Sequence, residues 1–240
     1  LNDLDADVCE TASAEIAATG ARTLAVPGSV TDPALPARLI EAAVDAFGGL
    51  DILVNNAGYI WNGAAHNHTD EQFQAMLDVH VAAPFRILRA YSAWLRPQAK
   101  REIEEAGHAR CRKVVNVTSV SGTRGAATQI GYSAGKAAVV GLTKTLAQEW
   151  GRYNVTVNAV AFGYIATRLT QGFVEAPPTI DVDGRALRVG LHEAVTEAMV
   201  AQMPLQRLST PEDGAGGIFL LCLPQSDYVT GEVLTVSGGA

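Results

Sequence analysis

The hydrophobic pattern contains three short runs of apolar residues, at positions 50–54, 113–117 and 155–161. Each run is nearly continuous rather than alternating, which is typical of strands in a parallel sheet covered on both faces. Two further segments, 22–26 and 232–236, are predicted to be short strands. The pattern therefore predicts a buried parallel sheet.

Between these runs, apolar residues recur every three or four positions, as they do on one face of a helix. Capping residues mark several helix starts, including the Thr-Asp-Glu-Gln box at 69–72 and Thr210 followed by Pro211. Asp183-Gly184 separates two apolar segments and predicts a two-residue hairpin turn of type I′. The predicted helices cover residues 8–20, 31–47, 69–96, 132–150, 192–202 and a last segment from 210, with a charged solvated stretch at 97–112 and a loop at 118–122.

Strands that alternate with helices in this order form βαβ units with right-handed crossovers. The predicted fold class is therefore α/β, a doubly wound parallel sheet of the Rossmann type. The chain has 240 residues, of which 48% are hydrophobic and 18% are charged, so we expect a single domain over residues 1–240.

The composition argues against several classes of partner. A formal net charge of −7 without any Lys/Arg block disfavours nucleic acid and anionic membrane surfaces. No apolar run reaches the length of a membrane span. Cys9, Cys111 and Cys222 are few and far apart, which suits a reducing compartment, so we expect a cytoplasmic protein.

Tyr132 and Lys136 are the first candidates for chemistry. Four residues apart on a predicted helix, their side chains lie on one face. A cation about 4 Å from a phenol supplies energy of the order needed to bring the pKa of the phenol toward neutrality. The same spacing also arises by chance, in which case the tyrosine simply packs on the stem of the lysine.

The polar stretches that follow the predicted strands are the second candidate. Ligands bind beyond the carboxyl ends of parallel strands, and three such stretches lie there: residues 55–58, Ser119 and residues 162–165. Ser119 precedes Tyr132 by thirteen residues, so a strand end and a helix start can converge on one substrate oxygen. A plain loop hydroxyl is the alternative for Ser119.

With these motifs the chain resembles the short-chain dehydrogenase/reductase family over nearly its whole length. The resemblance implies an oxidoreductase that moves a hydride between a nicotinamide and a small-molecule ketone or secondary alcohol, and it implies a homotetramer. The motifs are Asn55-Asn56-Ala57-Gly58, Ser119, Tyr132-x-x-x-Lys136, Asn158-Ala159-Val160-Ala161-Phe162-Gly163 leading to Thr167, and the Val236-Ser237-Gly238-Gly239 ending.

The resemblance also implies a role for each matching residue. Tyr132 would be the general acid/base, Lys136 would lower its pKa and hold the nicotinamide ribose, and Ser119 would hydrogen-bond the substrate oxygen. Asp3 matches the acid that binds ribose hydroxyls and repels a 2′-phosphate, which favours NAD over NADP, although a helix cap is its alternative role. The implied cofactor-binding residues are Asp3, Ser29, Val30, Asn56, Ala57, Gly58, Tyr132, Lys136, Gly163, Ile165 and Thr167.

Two departures from the family pattern concern the front of the chain and His80. The glycine-rich turn between the family's first strand and first helix has no counterpart. We therefore expect this sequence to be a truncated part of a longer protein, without that first strand and helix and with a gap in the sheet. His80 stands where the family usually has a catalytic Asn that holds a water through its carbonyl, and Pro84 cannot donate to that carbonyl. His80 is therefore a catalytic candidate, with a histidine packed in a helix interface as the alternative.

The remaining predictions concern the substrate. Residues 163–207 interrupt the strand and helix alternation and are expected to form a substrate lid. The sequence is most similar to 3-oxoacyl-carrier-protein reductases, which favours that function. A steroid or sugar-alcohol dehydrogenase and a non-catalytic binding module are the alternatives. His66 and His68 lack a third ligand nearby, so solvated loop residues rather than a metal site are expected.

Overall fold

The computed structural model describes residues 1–239. Its α-helices are α1 (Ala6–Ala17), α2 (Leu35–Phe47), α3 (Asp70–Leu77), α4 (Ala83–Ala106), α5 (Val120–Arg124), α6 (Ile130–Trp150), α7 (Glu193–Gln202) and α8 (Pro211–Cys222). Its strands are β1 (Ile52–Asn55), β2 (Arg112–Ser119), β3 (Val155–Phe162), β4 (Gly172–Phe173), β5 (Thr179–Val182), β6 (Arg185–Arg188), β7 (Leu191–His192) and β8 (Val233–Val236). A π-helical segment, Asp78–Ala82, connects α3 to α4.

The central sheet has the strand order β1-β2-β3-β8, and every pairing in it is parallel. All eight residues of β2 are buried. Because side chains alternate along a strand, Val114 joins the core cluster of α4 and α6, while Val115 joins the cluster that contains Leu221 of α8. Helices therefore cover both faces, which confirms the predicted doubly wound α/β fold.

Two local predictions at turns and caps are confirmed. The backbone N–H of Thr69 donates to Gln72 Oε1 at 2.8 Å, and the N–H of Gln72 donates to Thr69 Oγ1 at 3.2 Å, which completes the capping box of α3. Strands β5 and β6 form the predicted hairpin, and its two turn residues, Asp183 and Gly184, have φ values of 52° and 79°. Positive φ at both positions is the signature of a type I′ turn.

Residues 22–26 do not form a strand of the sheet, so that prediction is wrong. Within residues 1–239 their backbone bonds to the first residues of the chain: the Leu1 amino group donates to the Leu24 carbonyl at 2.8 Å, and the N–H of Val26 donates to the Leu1 carbonyl at 2.9 Å. Just beyond, the N–H of Gly28 donates to the Asp3 carbonyl at 2.9 Å. Without a further neighbour, this short contact does not extend into a ladder. In the central sheet β1 pairs with β2 alone and is an edge strand, and Ile52 is 44% exposed.

Three predicted helix boundaries are also wrong, the first being that of α1, which ends at Ala17 rather than at Gly20. Helix α2 begins later than predicted because the Asp32 carboxylate accepts the N–H of Ala34 at 2.9 Å and holds that segment in a turn. Helix α4 continues ten residues past its predicted end and includes Pro97. The proline removes one backbone hydrogen bond, but Leu95 and Ala99 on either side of it are fully buried against the core. Packing thus overrides the local break.

Candidate active site

Ser119 is the last residue of β2 and the residue that caps α5. Its hydroxyl accepts the N–H of Ser121 at 3.1 Å and donates to the Phe162 carbonyl of β3 at 3.3 Å. The N-cap bond satisfies a free backbone donor, which favours a helical turn here. The predicted loop at 118–122 is therefore wrong, since Thr118 still belongs to β2 and α5 begins directly after Ser119.

Gly122 allows α5 to lie directly against the backbone of α6. A Cβ at this position would stand 2.6 Å from the carbonyl carbon of Lys136, a distance that real Cβ atoms do not adopt. Beside this contact, the Thr118 hydroxyl donates to the Lys136 carbonyl at 2.6 Å. The strand end that carries Ser119 is thereby held against the helix that carries Tyr132 and Lys136.

Tyr132 and Lys136 share one face of α6, as the spacing predicts. The Lys136 Nζ lies 5.7 Å from the centroid of the Tyr132 ring. Lys136 is only 5% exposed, and its ammonium donates to the Val117 carbonyl of β2 at 2.9 Å. The lysine is therefore anchored to the sheet as well as placed beside the phenol.

Burial dominates the acidity of both groups. It raises the pKa of Tyr132, and a hydrogen bond with Ser119 offsets part of that rise. It lowers the pKa of Lys136 to about 8. Burial therefore outweighs any lowering of the Tyr132 pKa, and the Lys136 ammonium bonds to the Val117 carbonyl. What the structure provides is a protonated phenol with a cation nearby.

His80 lies within the π-helical segment, and its side chain also packs beside Tyr132. It is 2% exposed, its ring stands edge-on to Tyr132 with centroids 5.1 Å apart, and its Nε2 lies 2.8 Å from the Tyr59 carbonyl oxygen. Burial, followed by the positive charge of Lys136, holds the pKa of His80 well below its usual value. The imidazole is therefore neutral at pH 7.

A cavity of about 430 Å³ lies between the N-terminal residues, β1 and the β5–β6 hairpin. Asp3 lines it, while the N-cap of α1 is Asp5, so the alternative role of Asp3 as that cap is wrong. Predicted cofactor residues that line this cavity are Asp3, Ser29, Val30, Asn56, Ala57 and Gly58. Its volume lies in the range of small-molecule sites.

The other predicted cofactor residues lie outside the lining of this cavity. Gly163 follows β3, donates to the Val236 carbonyl at 2.9 Å, and has Ser237 where a Cβ would be. Ile165 is 9% exposed and pairs with Ser209, and the exposed Thr167 caps a short 3₁₀ turn. Tyr132 and Lys136 are likewise not part of that lining.

The β5–β6 hairpin supplies a wall of the cavity that the sequence alone does not place. Its residues 180–183 line the cavity, as does Tyr59. Arg185 of β6 forms a salt bridge of 3.2 Å with Glu71 at the start of α3, and its guanidinium lies 5.9 Å from the Trp61 ring centroid. The turn signal predicts the hairpin, but only the tertiary structure shows what the hairpin covers.

Two of the motif asparagines serve as structural ties. Asn158 donates to the Val229 carbonyl at 2.7 Å and accepts the N–H of Glu232 at 3.0 Å, which holds the segment before β8. Asn55 donates to Asn116 Oδ1 at 2.8 Å and so joins β1 to β2. These bonds tie β1 to β2 and β3 to the segment before β8.

Of the two loop histidines expected to be solvated, only His66 is so. His66 is exposed, but both ring nitrogens of His68 are buried without a hydrogen-bond partner within residues 1–239. His68 fills the space between Gly63 and Gly131, where a Cβ on either glycine would lie 2.9 Å from a ring nitrogen. In the same part of the chain, no cluster of His, Cys, Asp or Glu is arranged to hold a metal ion.

The residues around the cavity suit parts of a dinucleotide. The Asp3 carboxylate at one end can accept hydrogen bonds from ribose hydroxyls. Gly58 presents bare backbone, because a Cβ there would stand 2.5 Å from His80 Cε1. No glycine-rich turn opens a helix at this cavity within residues 1–239, so a backbone cradle for a pyrophosphate is not among the residues described.

Comparison with known proteins shows the family to which the chain belongs. The family described as enoyl-(acyl carrier protein) reductase matches residues 1–240. The chain is 34% identical to the 3-oxoacyl-[acyl-carrier-protein] reductase FabG of Vibrio cholerae over 88% of its own length and 75% of that protein. It is 35% identical to the 3alpha-hydroxysteroid dehydrogenase of Mediterraneibacter gnavus over 88% of its length and 73% of that protein.

Among solved structures, the fold is similar to a blue fluorescent protein from a metagenomic library in complex with NADPH. The TM-score is 0.77 with 27% identity, and the match covers 99% of this chain and 85% of that one. The chain therefore belongs to the short-chain dehydrogenase/reductase family. It is an oxidoreductase that acts on a small molecule and uses a nicotinamide cofactor. Within residues 1–239, no helix combines the length and apolar character that crossing a bilayer needs.

Proposed function

We propose that the chain is an NAD-dependent oxidoreductase that interconverts a ketone and a secondary alcohol, in the manner of a 3-oxoacyl reductase. The observation that carries the proposal is the convergence of Ser119, Tyr132 and Lys136 where β2 meets α6. This reaction needs an acid/base for the oxygen, a cation beside that acid/base, and a hydrogen-bond donor for the developing charge. These three side chains supply those groups.

In the direction of reduction, the Tyr132 hydroxyl donates its proton to the ketone oxygen while the Ser119 hydroxyl donates a hydrogen bond to the same oxygen. A bound nicotinamide supplies the hydride. Lys136 stabilises the phenolate that remains, because the attraction between the two charges grows as the phenol loses its proton. In the direction of oxidation, the phenolate accepts the proton of the alcohol.

The test is nicotinamide-dependent turnover of a panel that contains a 3-oxoacyl thioester, a steroid ketone and a sugar ketone. Tyr132→Phe is expected to lower kcat by about 10²–10⁴, the usual contribution of a general acid/base. Tyr228→Phe is the matched control, because Tyr228 is fully exposed. If Tyr132→Phe keeps kcat within a few-fold of wild type, the assignment of Tyr132 is wrong.

The preference for NAD is proposed from Asp3. A carboxylate on the cavity wall attracts ribose hydroxyls and repels the 2′-phosphate of NADP. The structurally similar blue fluorescent protein was solved with NADPH, so the preference of this chain is a separate question. The ratio of kcat/KM values for the two cofactors answers it directly.

A steroid or sugar alcohol is the second candidate substrate. The relative from Mediterraneibacter gnavus is a 3alpha-hydroxysteroid dehydrogenase, and its identity to this chain is close to that of the Vibrio cholerae reductase. In this chain residues 163–207 act as the substrate lid, and the hairpin within them lines the cavity. The steroid ketone in the panel decides between the candidates through its kcat/KM relative to the thioester.

We also propose a homotetramer in the cytoplasm. The tetramer follows from the family resemblance, and the location is supported by three cysteines that are all free. Light scattering of the purified protein measures the assembly. A monomeric mass at working concentration would contradict the tetramer.

A further inference from the structure

The His80 side chain occupies a slot between the turn after β1 and helix α6. A Cβ on Gly58 would lie 2.5 Å from His80 Cε1, and a Cβ on Gly135 would lie 3.0 Å from His80 Cβ. Both sides of the slot are therefore glycines that leave room for the histidine. His80 is 2% exposed, so its position is fixed by packing on both sides.

The hydrogen bonding of the ring defines its tautomer. A carbonyl oxygen only accepts, so the 2.8 Å contact between His80 Nε2 and the Tyr59 carbonyl requires the proton on Nε2. The Nδ1 atom is buried and has no partner within residues 1–239. The ring therefore acts as a donor to the main chain at Tyr59.

The same ring also contacts the phenol of the proposed acid/base. His80 and Tyr132 meet edge to face, with ring centroids 5.1 Å apart and an angle of 84° between the planes. Gly58 and Tyr59 line the proposed cofactor cavity. A single side chain thus touches the cavity wall on one side and Tyr132 on the other.

We propose that His80 is a positioning residue whose Nε2–H bond to the Tyr59 carbonyl fixes the cavity wall at Gly58–Tyr59 relative to the Tyr132 ring. The inference rests on the proposed function and adds a task for the imidazole side chain, beyond any role of the His80 backbone carbonyl. A misplacement of about 1 Å between reacting groups can lower a rate by about 10²-fold, so loss of this bond has a measurable consequence.

Three variants separate a bond through Nε2 from other roles. The terminal amide nitrogen of glutamine reaches about as far as Nε2, whereas that of asparagine reaches only about as far as Nδ1. His80→Gln is therefore expected to keep kcat within about threefold of wild type, while His80→Asn and His80→Leu lose about 10- to 100-fold with little change in KM for the ketone. Melting temperatures of the three variants show whether lost packing accounts for the difference.

A variant series in which asparagine restores kcat and glutamine does not would overturn the inference, because it would assign the role to the Nδ1 side. Full activity of His80→Leu would overturn it as well.

A readout without turnover separates this inference from the proposed function. In ¹⁵N–¹H correlation spectra at pH 7, the His80 ring is expected as the neutral tautomer with its proton on Nε2. Calorimetry is expected to show weaker NAD binding for His80→Leu than for His80→Gln. A proton on Nδ1 or equal NAD affinities would contradict the positioning role, whereas absence of ketone turnover in the wild type would contradict the proposed function alone.

Discussion

Replacing Gly122 with alanine adds one methyl group where α5 touches the backbone of α6. The new Cβ would lie 2.6 Å from the Lys136 carbonyl carbon, so the two helices must separate by about 0.8 Å to restore an ordinary contact of 3.4 Å. Overpacking of this kind costs about 1–3 kcal/mol, whereas alanine gains up to about 1 kcal/mol over glycine in a helix. We expect Gly122→Ala to lower the free energy of unfolding by about 1–2 kcal/mol.

The same separation moves Ser119 away from Tyr132. Because a shift of about 1 Å can lower a rate by about 10²-fold, kcat is expected to fall by up to that factor. Gly141→Ala is the matched control on α6, since a Cβ there meets nothing within 4 Å. Urea unfolding and steady-state turnover are measured for both variants. If Gly122→Ala equals Gly141→Ala in both measurements, the close approach of α5 and α6 does not hold the site together.

Three further predictions test the electrostatics of the site. Folding lowers the pKa of Lys136 from 10.5 to about 8, so between these pH values only the unfolded chain keeps the proton and the free energy of unfolding rises with pH. Urea titrations should show wild type gaining about 3 kcal/mol in unfolding free energy over Lys136→Met from pH 8 to 10.5, and the same pH dependence in both proteins would contradict this. Asp3→Asn should reduce the NAD over NADP preference by about tenfold, and an unchanged kcat/KM ratio would remove Asp3 from cofactor selection. Arg185→Ala should change the unfolding free energy by less than about 1 kcal/mol, because its salt bridge to Glu71 is exposed. The same bridge ties the hairpin that lines the cavity to α3, so its loss should speed NADH release in stopped-flow fluorescence. Arg188→Ala, which breaks no salt bridge within residues 1–239, is the control, and equal release rates would show that the bridge does not hold the hairpin over the cofactor.

The hydrophobic pattern predicts the sheet and the convergence of Ser119 with Tyr132 because both follow from local periodicity. Continuous apolar runs define β2 and β3, and parallel strands place their carboxyl ends at one edge. Residues 22–26 show the limit of this reasoning. Their strand character is local, but a ladder needs a neighbouring strand, and within residues 1–239 their backbone bonds to the short segment at residues 1–2.

The acidity of the site could not be predicted from spacing. The interval between Tyr132 and Lys136 places a cation near a phenol, but burial of both side chains sets the direction of each pKa. Burial depends on packing against β2 and α5, including the contact at Gly122. The position of the hairpin over the cavity could not be predicted either, because it depends on tertiary contacts such as the one between Arg185 and Trp61.

The central claim is that hydride passes between a nicotinamide and a carbonyl carbon held beside Tyr132. Its most direct test uses NADH carrying deuterium at the transferred position and a ketone from the panel, with mass spectrometry of the alcohol product. We predict one deuterium on the carbinol carbon for wild type and, at equal reaction time, about 10²–10⁴-fold less labelled product for Tyr132→Phe. Alcohol that forms without deuterium would contradict hydride transfer from the nicotinamide. Labelled alcohol formed equally well by Tyr132→Phe would contradict the role of Tyr132 as the acid/base.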